Sequence, residues 1–146
     1  MNYYLLMDLC EGGDLYSYIK EHGKLDEPEI FDLSYQLAMG LKYLHDQNVI
    51  HRDLKLGNIL LKENKKDLKI CDFGLAARLT DDKPERDTLC GTPNYICPEI
   101  INKQNYGKKV DIWSFGCILY SMVTGSPPFE TSSIQETLRS VKEGCI

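Results

Sequence analysis

No apolar run in the 146 residues is long enough to span a bilayer, which excludes a simple membrane-spanning helix. No secretory leader is visible in these residues either. Met1 runs straight into NYYLLMDL, with neither a basic region nor a small-residue cleavage site. The six cysteines (Cys10, Cys71, Cys90, Cys97, Cys117, Cys145) form no CxxC pair, and the three histidines show no metal spacing. They read as reduced cytosolic thiols rather than as a disulfide framework or a zinc site. Positive charge is in deficit: 17 Lys and Arg face 22 Asp and Glu, a net charge of -5. That balance argues against nonspecific nucleic-acid binding. Repeats, low-complexity tracts and linkers are absent as well. A hydrophobic fraction of 42% and a charged fraction of 27% are ordinary for a soluble globular chain, and the length suffices for one domain with a real core.

Local patterns then divide the chain. Tyr3 to Leu9 (YYLLMDL) reads as a short buried strand broken by EGGD. Asp14 is placed to cap a short helix over Leu15 to His22, and Gly23 to stop it. Asp26 followed by Glu29 has capping-box spacing, with Pro28 tolerated in the first turn. Ile30, Leu33, Leu37, Leu41 and Leu44 form one apolar stripe on a long helix ending near His45 to Asn48. NILL and LKIC read as two short strands joined by the polar hairpin turn ENKKD. Residues Gly74 to Asn94 carry no sustained period, and a loop that long in a compact domain is usually functional or disordered. VDIWSFGCILYSMVTG is apolar on nearly every helical face, which predicts a helix buried all round. A loop and one more helix end the chain.

The segment VIHRDLKLGNILL (Val49 to Leu61) packs Asp53, Lys55 and Asn58 into one tight loop between a helix and a strand. Phosphoryl transfer needs few covalent steps. It needs a base near the acceptor hydroxyl, a cation near the transferred phosphate and oxygen ligands for Mg²⁺. This loop offers a carboxylate, an ammonium and an amide. CDFG (Cys71 to Gly74) adds a second carboxylate after the strand pair, with Gly74 allowing a sharp turn. Hard Mg²⁺ prefers carboxylate and amide oxygens to thiolate, so Asp72 and Asn58 are apt ligands and Cys71 is not.

HRDLKLGN, DFG and CPE, in that order, resemble the signature set of the protein kinases. The match runs from residue 3 to the last residue. The resemblance implies an α+β, mainly helical fold: hinge, catalytic loop, activation segment and central buried helix, forming a partial kinase domain over residues 1–146. Lys55 together with GTPNY is similar to the serine/threonine class. TLCGTPNYICPEI, VDIWSFGCILY and SPPFETSSIQET look most like the polo-like kinases. CPE departs from the family's usual APE, but a small apolar Cys keeps the packing role.

By that resemblance Asp53 is the catalytic base, Lys55 steadies the transferred phosphate, and Thr92 hydrogen-bonds both. Asn58 and Asp72 hold Mg²⁺, and ATP is the phosphoryl donor. Met7 guards the back of the adenine pocket, backbone groups of Asp8 and Cys10 bond adenine, and Leu60, buried in its strand, forms the floor. Asp14 fits a ribose contact and a helix cap equally well. His51 packs the loop. Asp111 anchors the catalytic-loop backbone, or simply places negative charge at a helix N-terminus. Thr88 sits at the family's regulatory position, and Arg52 is the cation that a phosphate there would pair with. In the loop itself no strong apolar anchor is visible.

The same resemblance places other parts outside these 146 residues. They are a glycine-rich phosphate loop, a strand Lys with its Glu helix, two C-terminal helices and the polo-box segment. An Arg that pairs with the Glu of the PE dipeptide is among them, so Glu99 is expected to be a buried carboxylate without a partner. The implied partners are proteins bearing Ser or Thr acceptors and an upstream activating kinase, with no nucleic acid or membrane. The implied location is cytoplasmic or nuclear, with centrosome or basal body as further family sites. The alternative is a noncatalytic kinase-like binding module without the lobe that clamps ATP.

Overall fold

The computed structural model describes residues 2, 4–80, 85–144 and 146. Among these residues two α-helices come first, four very short strands follow, and three more helices end the chain: α1 (Leu15–His22), α2 (Glu27–Asp46), β1 (Val49–Ile50), β2 (Ile59–Leu61), β3 (Leu68–Ile70), β4 (Ala77–Arg78), α3 (Pro98–Ile101), α4 (Lys109–Thr124) and α5 (Ile134–Glu143). The fold is therefore α+β and mainly helical, as expected. β2 pairs antiparallel with β3, and β1 with β4.

Local chemistry sets most helix ends. The Asp14 carboxylate accepts from Ser17 N (2.9 Å), and Gly23 at φ 78° ends α1. Asp26 caps α2 through Glu29 N (2.9 Å). The Glu29 side chain does not close the box. It accepts from the Tyr18 hydroxyl (2.8 Å), tying α2 to α1. Along α2, Leu33, Leu37 and Leu41 are buried on one stripe, with Ile30 and Leu44 partly buried at its ends. The Gln36 side chain spans to the hairpin, donating to Lys66 O (2.7 Å) and accepting from Leu68 N (3.1 Å).

Two cores result. The larger joins α1, α2, β2, Leu54 and Leu56 to Cys117, Ile118 and Met122 of α4 and Val141 of α5. The smaller gathers Ile50, Leu79, Ile96, Cys97, Ile100, Tyr106 and Val110 around β1. It gives the long segment after β4 the apolar anchor that its composition hides. Cysteines behave as small hydrophobes in both cores. Burial pushes the Cys97 thiol up to about 11 and that of Cys117 up to about 12, and the five described cysteines are free thiols.

Three expectations need correcting. Residues 4–9 form no strand, and Leu5, Leu6, Met7 and Leu9 are exposed. An apolar strand is buried only when a neighbour pairs with it and covers it, and no described residue does either. Tyr3 lies outside the described residues. α4 is not buried all round, because Ile112 and Val123 face outward. Leu60 is half-buried, since β2 turns only Ile59 and Leu61 fully into the core.

Chain entry is held by close backbone approach. Gly12 N donates to Leu61 O (3.0 Å), Leu61 N donates to Gly13 O (2.8 Å), and Asp14 bridges Leu60. A Cβ on Gly12 would sit 2.2 Å from Lys62 O, a backbone atom that cannot swing aside. Gly12→Ala is therefore expected to destabilise the chain by about 1–3 kcal/mol, the usual cost of overpacking. Urea unfolding measures it, and an unchanged midpoint would refute the contact.

Candidate active site

β1 runs into a loop whose shape is set from below by Asp111, in the first turn of α4. Its fully buried carboxylate accepts from His51 N (2.9 Å), Arg52 N (2.9 Å) and His45 Nε2 (2.8 Å). Two consecutive backbone N–H groups converge on one side chain, and Arg52 takes a left-handed φ of 68°. For a residue with a Cβ that conformation persists only when the surroundings hold it. His51 is buried with its tautomer set by its partners. Nε2–H donates to the Cys71 carbonyl (2.9 Å), and Nδ1 accepts from Asp53 N (3.3 Å). The ring also meets Phe73 edge-on at 5.1 Å. His51 thus joins the loop to the DFG turn.

Next along the chain, Asp53 is only 8% exposed. Its Oδ1 accepts from the Thr92 hydroxyl (2.6 Å) and its Oδ2 from Lys55 Nζ (2.9 Å). Lys55 Nζ also donates to Thr92 Oγ1 (3.2 Å), so the three side chains close a ring. Thr92 can come this close because Gly91 at φ 114° lies against Arg52 O, where a Cβ would stand 3.1 Å away. Asn58 Nδ2 donates to the Asp53 carbonyl (2.8 Å). Asn58 Oδ1 accepts no hydrogen bond among the described residues.

Asp72 follows β3 and is exposed. It has a left-handed backbone (φ 60°), and its Oδ1 caps Gly74 N (3.2 Å). Cys71 N donates to Asn58 O (2.9 Å), which sets Asn58 and Asp72 at neighbouring positions beyond the β2–β3 ladder. Among the described residues no three His, Cys, Asp or Glu side chains cluster as a metal cage. An amide and a carboxylate oxygen alone suit Mg²⁺, which usually takes one or two protein ligands and completes its shell with phosphate and water. The neighbouring thiol is unsuited. Burial, then the Asp72 charge, pushes the Cys71 pKa up and keeps it protonated.

The remaining residues are placed as follows. Met7 is 79% exposed, with nothing behind it to guard among the described residues. Asp8 forms an exposed ion pair with Lys69 (2.8 Å), whose hydrogen bond and charge hold its carboxyl below the usual range. Cys10 is half-buried. Both Asp14 oxygens are engaged by Ser17, through its N–H and its hydroxyl, which is the helix-cap role. Glu99 is exposed, so no buried, unpaired carboxylate arises there. α3 is a single turn, and it buries Ile100 rather than its acidic neighbour. Thr88 is exposed. Arg52 turns away from Asp53, donating through Nε to Leu75 O (2.5 Å) and through Nη1 to the Tyr106 hydroxyl (3.2 Å). Sequence reasoning missed two participants. His45 carries a faint signal, a polar residue ending the α2 stripe, whereas Tyr106, a lone aromatic in a polar loop, carries none.

The protein kinase domain family model matches residues 1–145. Probable serine/threonine-protein kinase CCRP1 of Zea mays is 51% identical over 97% of this chain, which covers 22% of that relative. Serine/threonine-protein kinase PLK2 of Mus musculus is 47% identical, with 97% of this chain and 21% of the relative covered. Serine/threonine-protein kinase polo of Drosophila melanogaster is 44% identical, with 97% and 24% covered. The chain belongs to the protein kinase family. It is similar to serine/threonine kinases, polo-like ones among them, and spans about a fifth of the length of the curated relatives it matches.

Asp111→Ala is expected to strand two backbone N–H groups, that of His51 buried and that of Arg52 partly so, and to release the Arg52 backbone. Each orphaned donor costs about 1–3 kcal/mol. Denaturant unfolding should show a loss of several kcal/mol, and a loss below about 1 kcal/mol would mean the loop is held by something else.

Proposed function

We propose that these residues form the catalytic-loop half of an ATP-dependent protein serine/threonine kinase of polo-like type. In this reading residues 1–146 are part of a kinase domain. The observation that carries it is the Asp53 carboxylate, nearly buried and gripped by Lys55 and Thr92. An ionised carboxylate held by donors keeps acceptor capacity for one more proton-bearing group. An acceptor Ser or Thr hydroxyl would hand its proton to Asp53 as its oxygen bonds the γ-phosphorus. The bond from phosphorus to the bridging oxygen breaks, and ADP leaves. Lys55 lies beside the base, where negative charge on the moving phosphoryl group needs a cation. Asn58 Oδ1 and the Asp72 carboxylate would hold Mg²⁺. When bound, that ion neutralises charge on the phosphate oxygens.

Backbone groups of Asp8 and Cys10, with the half-buried Leu60 beneath, are the proposed adenine contacts. A shallow groove of about 310 Å³ beside Thr92, lined by Pro93, Asn94, Glu130 and Ser133, is open to a substrate chain. The partners are protein substrates and an upstream kinase acting on Thr88. The setting is the cytoplasm or nucleus. Among the described residues no helix is long and apolar enough to cross a membrane.

Two tests follow from this chemistry. In the full-length protein Asp53→Asn should cut turnover about 10²–10⁴-fold, the usual worth of a general base, with thermal unfolding unchanged. Asp72→Asn should instead raise the Mg²⁺ concentration needed for half-maximal rate. Near wild-type turnover in Asp53→Asn would show that the base is elsewhere.

The second test concerns Thr88. Its phosphate adds roughly two negative charges and three acceptor oxygens, for which the Arg52 fork is suited. Thr88→Ala should lower activity, and Thr88→Asp should restore it in part. Arg52→Ala should make the enzyme indifferent to the state of Thr88. Turnover of both Arg52 forms, with and without phosphate, completes a double-mutant cycle. Additive effects would mean that the two residues do not communicate.

A further inference from the structure

Tyr106 lies in the loop between α3 and α4, distant in sequence from every residue given a role above except Glu99 and Asp111. It is 4% exposed, and its ring belongs to the smaller core. Its backbone pairs with the long segment at Arg86, N–H to carbonyl in both directions (2.8 and 2.9 Å). Its hydroxyl is more informative. It donates to the Thr88 carbonyl (2.7 Å) and accepts from Arg52 Nη1 (3.2 Å), and the Cys90 thiol lies at 3.7 Å. A phenol has one proton to give and two lone pairs. Here the proton goes to the Thr88 backbone, and the guanidinium takes a lone pair. Burial pushes the Tyr106 pKa up, so the proton stays on the oxygen at neutral pH. One oxygen atom therefore stands between the backbone of Thr88 and the guanidinium of Arg52.

We propose that Tyr106 is a positioning residue, its hydroxyl holding the Thr88 backbone within reach of the Arg52 guanidinium so that a phosphate added to Thr88 meets a cation already in place. The proposal rests on the reading of Arg52 and Thr88 as a switch. Thr88 itself is exposed, so its hydroxyl is open to a modifying enzyme while its carbonyl is pinned. Arg52 spends Nε on Leu75 O and one N–H on Tyr106. Among the described residues its other N–H groups have no hydrogen-bond partner, which leaves them for phosphate oxygens. The segment around Thr88 is thus ordered partly before modification, and less ordering remains for the phosphate to induce. A Tyr that merely filled the core would need only its ring. The polar contacts are the part that Phe cannot supply.

The test is Tyr106→Phe in the full-length protein, unphosphorylated and phosphorylated on Thr88, with and without Arg52→Ala. Unphosphorylated turnover should match wild type. The gain on phosphorylation should fall about three- to tenfold, the worth of a hydrogen bond or two. ³¹P titration supplies a readout that a packing role would not move. The guanidinium should hold the second phosphothreonine pKa below its ordinary value of about 6, and Tyr106→Phe should let it rise. With Arg52→Ala present, Tyr106→Phe should change neither quantity further. Full activation with an unmoved ³¹P titration would overturn the proposal alone. Failure of wild type to respond to Thr88 phosphorylation, or full activation in Arg52→Ala, would instead remove the switch, and Tyr106 with it. If Tyr106→Phe does not fold, ¹³Cζ-tyrosine NMR of the wild-type protein reads the hydroxyl directly. Its Tyr106 signal should shift when Thr88 is phosphorylated, and an unshifted signal would sink the idea.

Discussion

A buried carboxylate with three donors around it is the constraint on which the site depends. Asp111 has no access to water, and an isolated charge there would be very costly. His51 N, Arg52 N and His45 Nε2 offset that cost, and in doing so they bring together α2, the loop after β1 and the start of α4. The convergence of two successive N–H groups on one acceptor also shapes the backbone. With Arg52 in the left-handed region, the Arg52 and Asp53 side chains part company. The guanidinium reaches Leu75 and Tyr106, and the carboxylate reaches Lys55 and Thr92. Two opposite charges adjacent in sequence are thereby assigned to different tasks.

The long segment after the DFG turn is tied to this loop at several points, each of a different kind. Leu75 gives Arg52 a carbonyl, Leu79 gives the smaller core an apolar side chain, Arg86 pairs with Tyr106, and Thr92 closes the ring with Asp53 and Lys55. Each tie is one apolar side chain or at most two hydrogen bonds, and a hydrogen bond has a modest net worth, about 0.5–1.5 kcal/mol between neutral groups and about 1.5–3 kcal/mol to a charged one. Such a segment is poised rather than locked. In the proposed switch, charge added near Arg52 biases its arrangement, whereas the larger core beneath, built from Leu37, Leu41, Leu61 and Ile118, is remote from that charge.

Much of this was legible in the residues because much of it is local. Asp14 with Gly23, and Asp26 with the α2 stripe, mark helices whose caps and periods lie within a few positions of each other. NILL, ENKKD and LKIC form a hairpin whose turn is closed by Asn64 accepting from Lys66 N and Asp67 N (3.0 and 3.1 Å). Asp53, Lys55 and Asn58 needed only their spacing to be set on one loop. Other features depended on partners from 20 to 66 positions away. β1 and β4 are two residues each, too short to show a period. Apolar character marked Leu5 and Leu6 as core, and Ile112 likewise, but burial requires a neighbour that covers the face.

What the sequence by itself determined, then, was the family, the four longer helices and the residue types gathered at the candidate site, since these follow from side-chain type, spacing and capping. Tertiary structure alone decided which groups meet. His45 and Asp111, 66 positions apart, share a hydrogen bond because α2 packs on α4. Tyr106 faces Arg52 because the smaller core draws the loop before α4 under the segment that carries Thr88. A pattern of residues carries no record of such a meeting, since a hydroxyl in a loop acquires its role only from the donor and acceptor that folding places on either side of it.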